Sequence, residues 1–236
     1  VDRLVGSEMC IRDSYKNQKA VRFVLENFRK NFPYNPITLI SDGGEDFTNV
    51  AEKYRCKFYM RENIFGDDIN KYPKFPYNAY RTIEWWKRQK LACEFTGQDY
   101  IMILEDDVLV RKPFTLDSTF QLRGVRIGNR FTSRMSQDVK DLTGDDASLY
   151  GMCGGSMYNA ETFLSIYDDV IQDIETNMDN MMKEDPTSYN MLGAVDANIT
   201  YHFAKRGYKY EVAPWLGEVR EGNLDLPVIH QWKEHY

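Results

Sequence analysis

Apolar positions along this chain change period several times, and each change marks an element. From Tyr15 to Phe32 they recur at Val21, Val24 or Leu25, Phe28 and Phe32 with charge on the other face, which predicts a covering helix. Pro36 ends that pattern. Ile37 to Ile40 is a short β-branched run that closes in Ser41-Asp42-Gly43-Gly44, a strand followed by a tight turn. Phe47, Val50, Ala51 and Tyr54 predict a second short helix, and Cys56, Phe58 and Met60 alternate as a strand does. Residues 61–77, with two prolines, a glycine and mixed charge, read as a loop. Asn78 to Phe95 reads as a helix with Tyr80, Ile83, Trp86, Leu91 and Phe95 inward. Ile101 to Leu104 is an unbroken apolar run, the mark of a strand buried on both faces. Alternating helices and strands predict an α/β fold with a mainly parallel central sheet.

The second half is less regular. Residues 115–148 are polar and interrupted by Gly124, Gly128 and Gly144, and read as strands and loops. Tyr150 to Tyr158 is an apolar strand broken by Gly154-Gly155; glycines there mark either a β-bulge or the close approach of a ligand or a second backbone. Asn159 to about Met182 reads as a helix capped by Asn159 or by the turn at Glu161, its methionines filling the core. A further helix carries Leu192, Val195, Ile199 and Phe203 inward and stops at Gly207. The tail VIHQWKEHY after Pro227 is apolar enough to pack. The opening VDRLVGSEMCIRDS fits no helix or strand period and lacks the basic and apolar regions of a signal peptide. Its string SEMCIRDS resembles translated sequencing-adapter read-through, so residues 1–14 are read as foreign to the natural protein.

Composition narrows the class. With 236 residues, 42% hydrophobic and 28% charged, the chain is long enough for one sizeable core, and one domain is expected over residues 15–236. A net charge of −6 argues against a nucleic-acid binder. No apolar run approaches the roughly 18 residues of a membrane span. Cys10, Cys56, Cys93 and Cys153 have neither CxxC nor zinc spacing and read as reduced thiols. The sequon Asn198-Ile199-Thr200 falls in a predicted helix and reads as chance.

The candidate chemistry sits where the third predicted strand ends. Glu105, Asp106 and Asp107 follow Leu104 directly, and Val108, Leu109 and Val110 resume the apolar run. Ligands of open α/β sheets bind beyond the carboxyl ends of strands, and packed carboxylates repel unless a cation compensates them, which suits Mg²⁺ or Mn²⁺. A solvated acidic turn is the plainer reading of the same residues.

Strand, acidic triplet and apolar continuation resemble the DxD-type motif of nucleotide-sugar glycosyltransferases with the GT-A fold, in the Glu-Asp-Asp variant of N-acetylglucosaminyltransferase I and its relatives. The resemblance runs from about Tyr15 to the C-terminus. It implies a single Rossmann-like GT-A domain with a nucleotide-binding part at 15–114 and an acceptor-side part at 115–236. It further implies a UDP- or GDP-sugar donor, a glycan, protein or lipid-linked acceptor hydroxyl, and inversion at the anomeric carbon. Asp107 becomes the chief metal ligand and His230 a further one, with Glu105 and Asp106 orienting ribose or sugar hydroxyls. Asp42 is similar to the acid after the second strand in the inverting family containing cellulose and hyaluronan synthases, although Asp-Gly-Gly triplets are usually turns. Arg81 and Lys233 are candidate diphosphate contacts, and Gly154-Gly155 resembles the glycine-bearing strand beside the donor sugar. AVDANITYHFAKRGYKYEVAP resembles the segment carrying the catalytic base, which makes Asp196 the candidate base; the family usually reads Glu-Asp where this chain has Val195-Asp196. In the family a first strand precedes the first helix, and none is visible before Tyr15, so the chain reads as lacking it. Two rivals stay open: a metal-dependent nucleotidyltransferase, for which no phosphate-cradling glycine loop is visible, and a catalytically inactive, lectin-like sugar binder.

Overall fold

Asn17 begins the first helix: its side chain accepts the Ala20 N–H at 3.1 Å, and α1 (Gln18–Asn31) buries Ala20, Val21, Val24, Leu25 and Phe28 along one stripe. The computed structural model describes residues 7–11, 17–41, 43–62, 79–125, 137, 140–141, 153–178, 195–219 and 222–231. Its strands are β1 (Ser7–Ile11), β2 (Ile37–Ser41), β3 (Lys57–Met60), β4 (Tyr100–Leu104), β5 (Val108–Val110), β6 (Leu122–Gly124), β7 (Met157–Asn159), β8 (Tyr210–Val212), β9 (Leu216–Glu218) and β10 (Val228–His230). The further helices are α2 (Thr48–Tyr54), α3 (Ala79–Thr96), α4 (Ala160–Asp173), continued by a π-helical turn Ile174–Met178, and α5 (Val195–Lys205). None of the described helices is long and apolar enough to cross a membrane.

The fold is α/β, and its large sheet is mixed. Seven strands lie in the order β3-β2-β1-β4-β7-β6-β8. β1, β2, β3 and β4 pair in parallel, whereas β7 runs antiparallel to both β4 and β6. A second sheet, β5-β10-β9, pairs β10 antiparallel to β5 and parallel to β9. The expected parallel arrangement therefore holds from β3 to β4 and again between β6 and β8, and is broken on both sides of β7.

The slot between β2 and β4 is filled, contrary to the expectation that no strand precedes Tyr15: Met9 pairs with Ile37 on one side and with Met102 on the other. A parallel ladder is made by backbone groups, so the slot admits any extended segment of this length, whatever its origin.

Alternation along β4 splits the core. Ile101 and Ile103 join Trp86, Phe163, Tyr158 and Phe203 on the face covered by α3, α4 and α5. Tyr100, Met102 and Leu104 join Val24, Phe28, Val108 and Val228 on the face covered by α1, α2 and the small sheet. α3 is buried more broadly than its periodicity predicts: Trp85, Arg88 and Gln89 are inside, while Tyr80 and Phe95 at its ends are exposed. Asn159 caps α4 by accepting the Thr162 N–H at 2.8 Å. Asn198 on α5 is buried and accepts the Trp86 indole N–H at 2.9 Å, which explains this asparagine by packing rather than as a glycan acceptor.

Candidate metal centre

The acidic triplet is the hinge between the two sheets. β4 ends at Leu104, the Val108 N–H returns to the Glu105 carbonyl at 3.2 Å, and the chain leaves the large sheet to become an edge of the small one. The Gln231 N–H donates to the Asp107 carbonyl at 2.9 Å, which ties the end of β10 to the acidic turn. Within the small sheet His230 stands opposite Val108 on one side and Glu218 on the other. Three segments far apart in sequence are thereby brought to one point.

At that point His230 Nε2 lies 3.3 Å from Glu105 Oε2 and 3.4 Å from Asp107 Oδ1, and Nδ1 lies 3.0 Å from Glu218 Oε1. Glu105 is partly exposed, whereas Asp107, Glu218 and His230 are buried. Cys153 completes the cluster, its Sγ 3.3 Å from Glu218 Oε1. Burial pulls the imidazole pKa down, but the neighbouring Cys153 sulfur and hydrogen bonds with Asp107 and Glu105 outweigh it and hold His230 well above its ordinary value. Burial also pushes the Cys153 thiol up to about 12. Because that sulfur stays protonated at neutral pH, it is the carboxylates that retain the imidazole's proton when no other cation is present.

The ligand atoms of Glu105, Asp107 and His230 all lie within 4.8 Å of one another. Asp107 Oδ1 is fully buried, and its contact with the His230 ring, 3.4 Å from Nε2, is long and poorly aligned for a hydrogen bond. A buried oxygen in that condition is costly unless a cation or donor meets it, so this trio fits a divalent ion. Two carboxylates suit Mg²⁺ and Mn²⁺, and the added imidazole, outside the usual oxygen-only preference of Mg²⁺, favours Mn²⁺. Cys153, Glu218 and His230 form a second close trio, in which the Cys153 thiol donates to Glu218 Oε1.

Gly154 and Gly155 back this centre. A Cβ on Gly154 would stand 2.2 Å from Val108 Cγ2 and 3.1 Å from Glu105 Cβ, so the bare backbone is what allows the acidic turn to pack so closely. Gly155 has φ +97°, and a Cβ there would meet Leu216 and Val228 of the small sheet. Of the two sequence readings, close approach of a second part of the chain is the one these contacts support. The Trp215 indole N–H reinforces it by donating to the Gly155 carbonyl at 2.9 Å.

Of the residues named from sequence, Glu105, Asp107, His230, Gly154 and Gly155 meet here, and Asp106 is buried in the same turn. Asp42 and Lys233 lie outside the described residues. Arg81 is the third residue of α3 and Asp196 the second of α5; their side chains lie outside the described set. Cys153, read from sequence as a reduced thiol, is a free buried thiol here, whereas Glu218 has no signal in the sequence, because a three-residue strand is too short to show a period and the parallel register that pairs it with His230 is not local. No protein-family model matches the chain, and no curated protein matches it significantly.

Proposed function

We propose that this chain is a glycosyltransferase with a GT-A-type fold, using Mn²⁺ or Mg²⁺ to transfer a hexosyl or N-acetylhexosaminyl group from a UDP- or GDP-sugar to an acceptor hydroxyl. The observation that carries the reading is the convergence of Glu105, Asp107 and His230 at the carboxyl end of β4. Strand order supports it: β2 and β3 lie to one side of β1 and β4 to the other, and ligands of open α/β sheets bind where the order reverses, beyond the carboxyl ends. A divalent ion held by Glu105, Asp107 and His230 supplies charge neutralisation for the diphosphate leaving group.

The remaining roles belong to the chain itself. Asp106 and the free edge of Glu105 orient ribose or sugar hydroxyls, Asp42 contacts the base or ribose, and Arg81 and Lys233 bind diphosphate oxygens, with guanidinium geometry suited to that contact. Asp196, near the N-terminus of α5 where the helix dipole favours a negative charge, takes the proton from the acceptor hydroxyl. The acceptor oxygen then bonds to the anomeric carbon as the bond to the diphosphate oxygen breaks, and the configuration inverts. A thermal-shift panel of nucleoside diphosphates tests this. Stabilisation by UDP or GDP only with Mn²⁺, about 2.7 kcal/mol at a hundred times the dissociation constant, is the expected result. Metal-independent stabilisation by free glycans would place the chain among sugar-binding modules instead.

A further inference from the structure

Glu218 lies behind the candidate metal centre, on the far side of the histidine ring. It faces His230 across the parallel β9–β10 register, is 1% exposed, and places its two oxygens 3.0 and 3.2 Å from Nδ1. Oε1 is also within 3.3 Å of the Cys153 sulfur, whose proton makes it a second donor to the same carboxylate. The opposite ring nitrogen is the one directed at Glu105 and Asp107. A carboxylate only accepts, so a neutral imidazole bonded to it carries its proton on Nδ1 and leaves the Nε2 lone pair for a ligand.

We infer that Glu218 is a positioning residue: it selects the Nδ1–H form of His230 and aims Nε2 at the Glu105–Asp107 pair, so cation affinity depends on a side chain that never touches the cation. The inference rests on the metal-centre reading proposed above. Glutamine is the informative replacement, because it keeps the shape of Glu218 but its amide can donate to Nδ1 as well as accept from it. Tautomer selection is then lost while packing is retained.

The test uses the full chain with Mn²⁺ alone, titrated by electron paramagnetic resonance, together with ¹⁵N NMR of His230 in the metal-free protein at a pH high enough for the ring to be neutral. Glu218→Gln is expected to weaken Mn²⁺ binding by about 10-fold or more, within the range for supporting partners of metal-bound histidines, and to show both ring tautomers. The melting temperature of the metal-free variant stays near that of the wild type. Wild-type Mn²⁺ affinity with a single Nδ1–H tautomer in Glu218→Gln overturns the inference and leaves the metal centre standing. Absence of Mn²⁺ binding in the wild type overturns both. Should the variant not fold, the wild-type spectrum decides: an Nδ1–H ring in the neutral, metal-free protein supports the role, and an Nε2–H ring overturns it.

Discussion

The large sheet and the small one are built on different terms. β2 and β4 of the large sheet are buried at every position, and their neighbours α1, α3 and α4 present many apolar side chains, so no single contact decides whether that half forms. The small sheet has three strands of three residues each, gathered from positions 108–110, 216–218 and 228–230, and two of its buried residues, Glu218 and His230, are ionisable. Hydrophobic burial makes the large sheet a scaffold. The small sheet depends on that scaffold through Val108, Val110, Leu216 and Val228, and in return fixes a set of polar groups whose position rather than stability is the point.

Core truncation in the large sheet separates the two most sharply. Ile103→Ala removes a fully buried side chain between the sheet and its helices and is expected to cost about 2–5 kcal/mol, equal with and without Mn²⁺, in urea unfolding. A cost that changed with the metal would break the division between scaffold and site. Gly154→Ala is expected to act at the junction: its Cβ crowds Val108 and Glu105, so a loss of about 1–3 kcal/mol should come with weakened Mn²⁺ binding. Unchanged Mn²⁺ affinity in a destabilised Gly154→Ala protein would uncouple the glycine from the acidic turn.

The smallest effect concerns a histidine of the scaffold. His202 on α5 is buried against Trp86, and burial first, then the Arg206 charge, pull its pKa down to about 3, with Asp173 opposing. The unfolded chain takes up a proton near pH 6.5 that the folded chain refuses until about 3, so this residue makes stability fall as pH drops through that window. At pH 5.5 the loss is on the order of 1 kcal/mol relative to pH 8, and His202→Gln should flatten the slope in urea titrations at the two pH values. An unaltered slope would mean that other groups set it.

The scaffold was largely legible because it repeats its own information. Val21, Val24, Leu25 and Phe28 read as a stripe and are one, and the Ile101–Leu104 run reads as a doubly buried strand and is one. Two parts were misread for physical reasons. Ser7–Ile11 carries no apolar run, since a ladder needs only backbone groups, and α3 is covered on more than one side, so burial of Arg88 and Gln89 escapes a single-stripe pattern. In the site, the acids at the end of β4 were visible because a strand stops there, and His230 was reached only through resemblance. Glu218 was out of reach, because its partner is set by the register of strands twelve residues apart.

Whether Glu105, Asp107 and His230 hold a divalent cation is decided by a Mn²⁺ titration of wild type against Asp107→Ala. One Mn²⁺ per chain in the wild type is expected, with affinity falling at least about 100-fold in the variant, equivalent to about 2.7 kcal/mol, while the metal-free melting temperature stays nearly unchanged. Equal Mn²⁺ affinity in the two proteins, or no binding by the wild type, would mean that these three residues hold no cation.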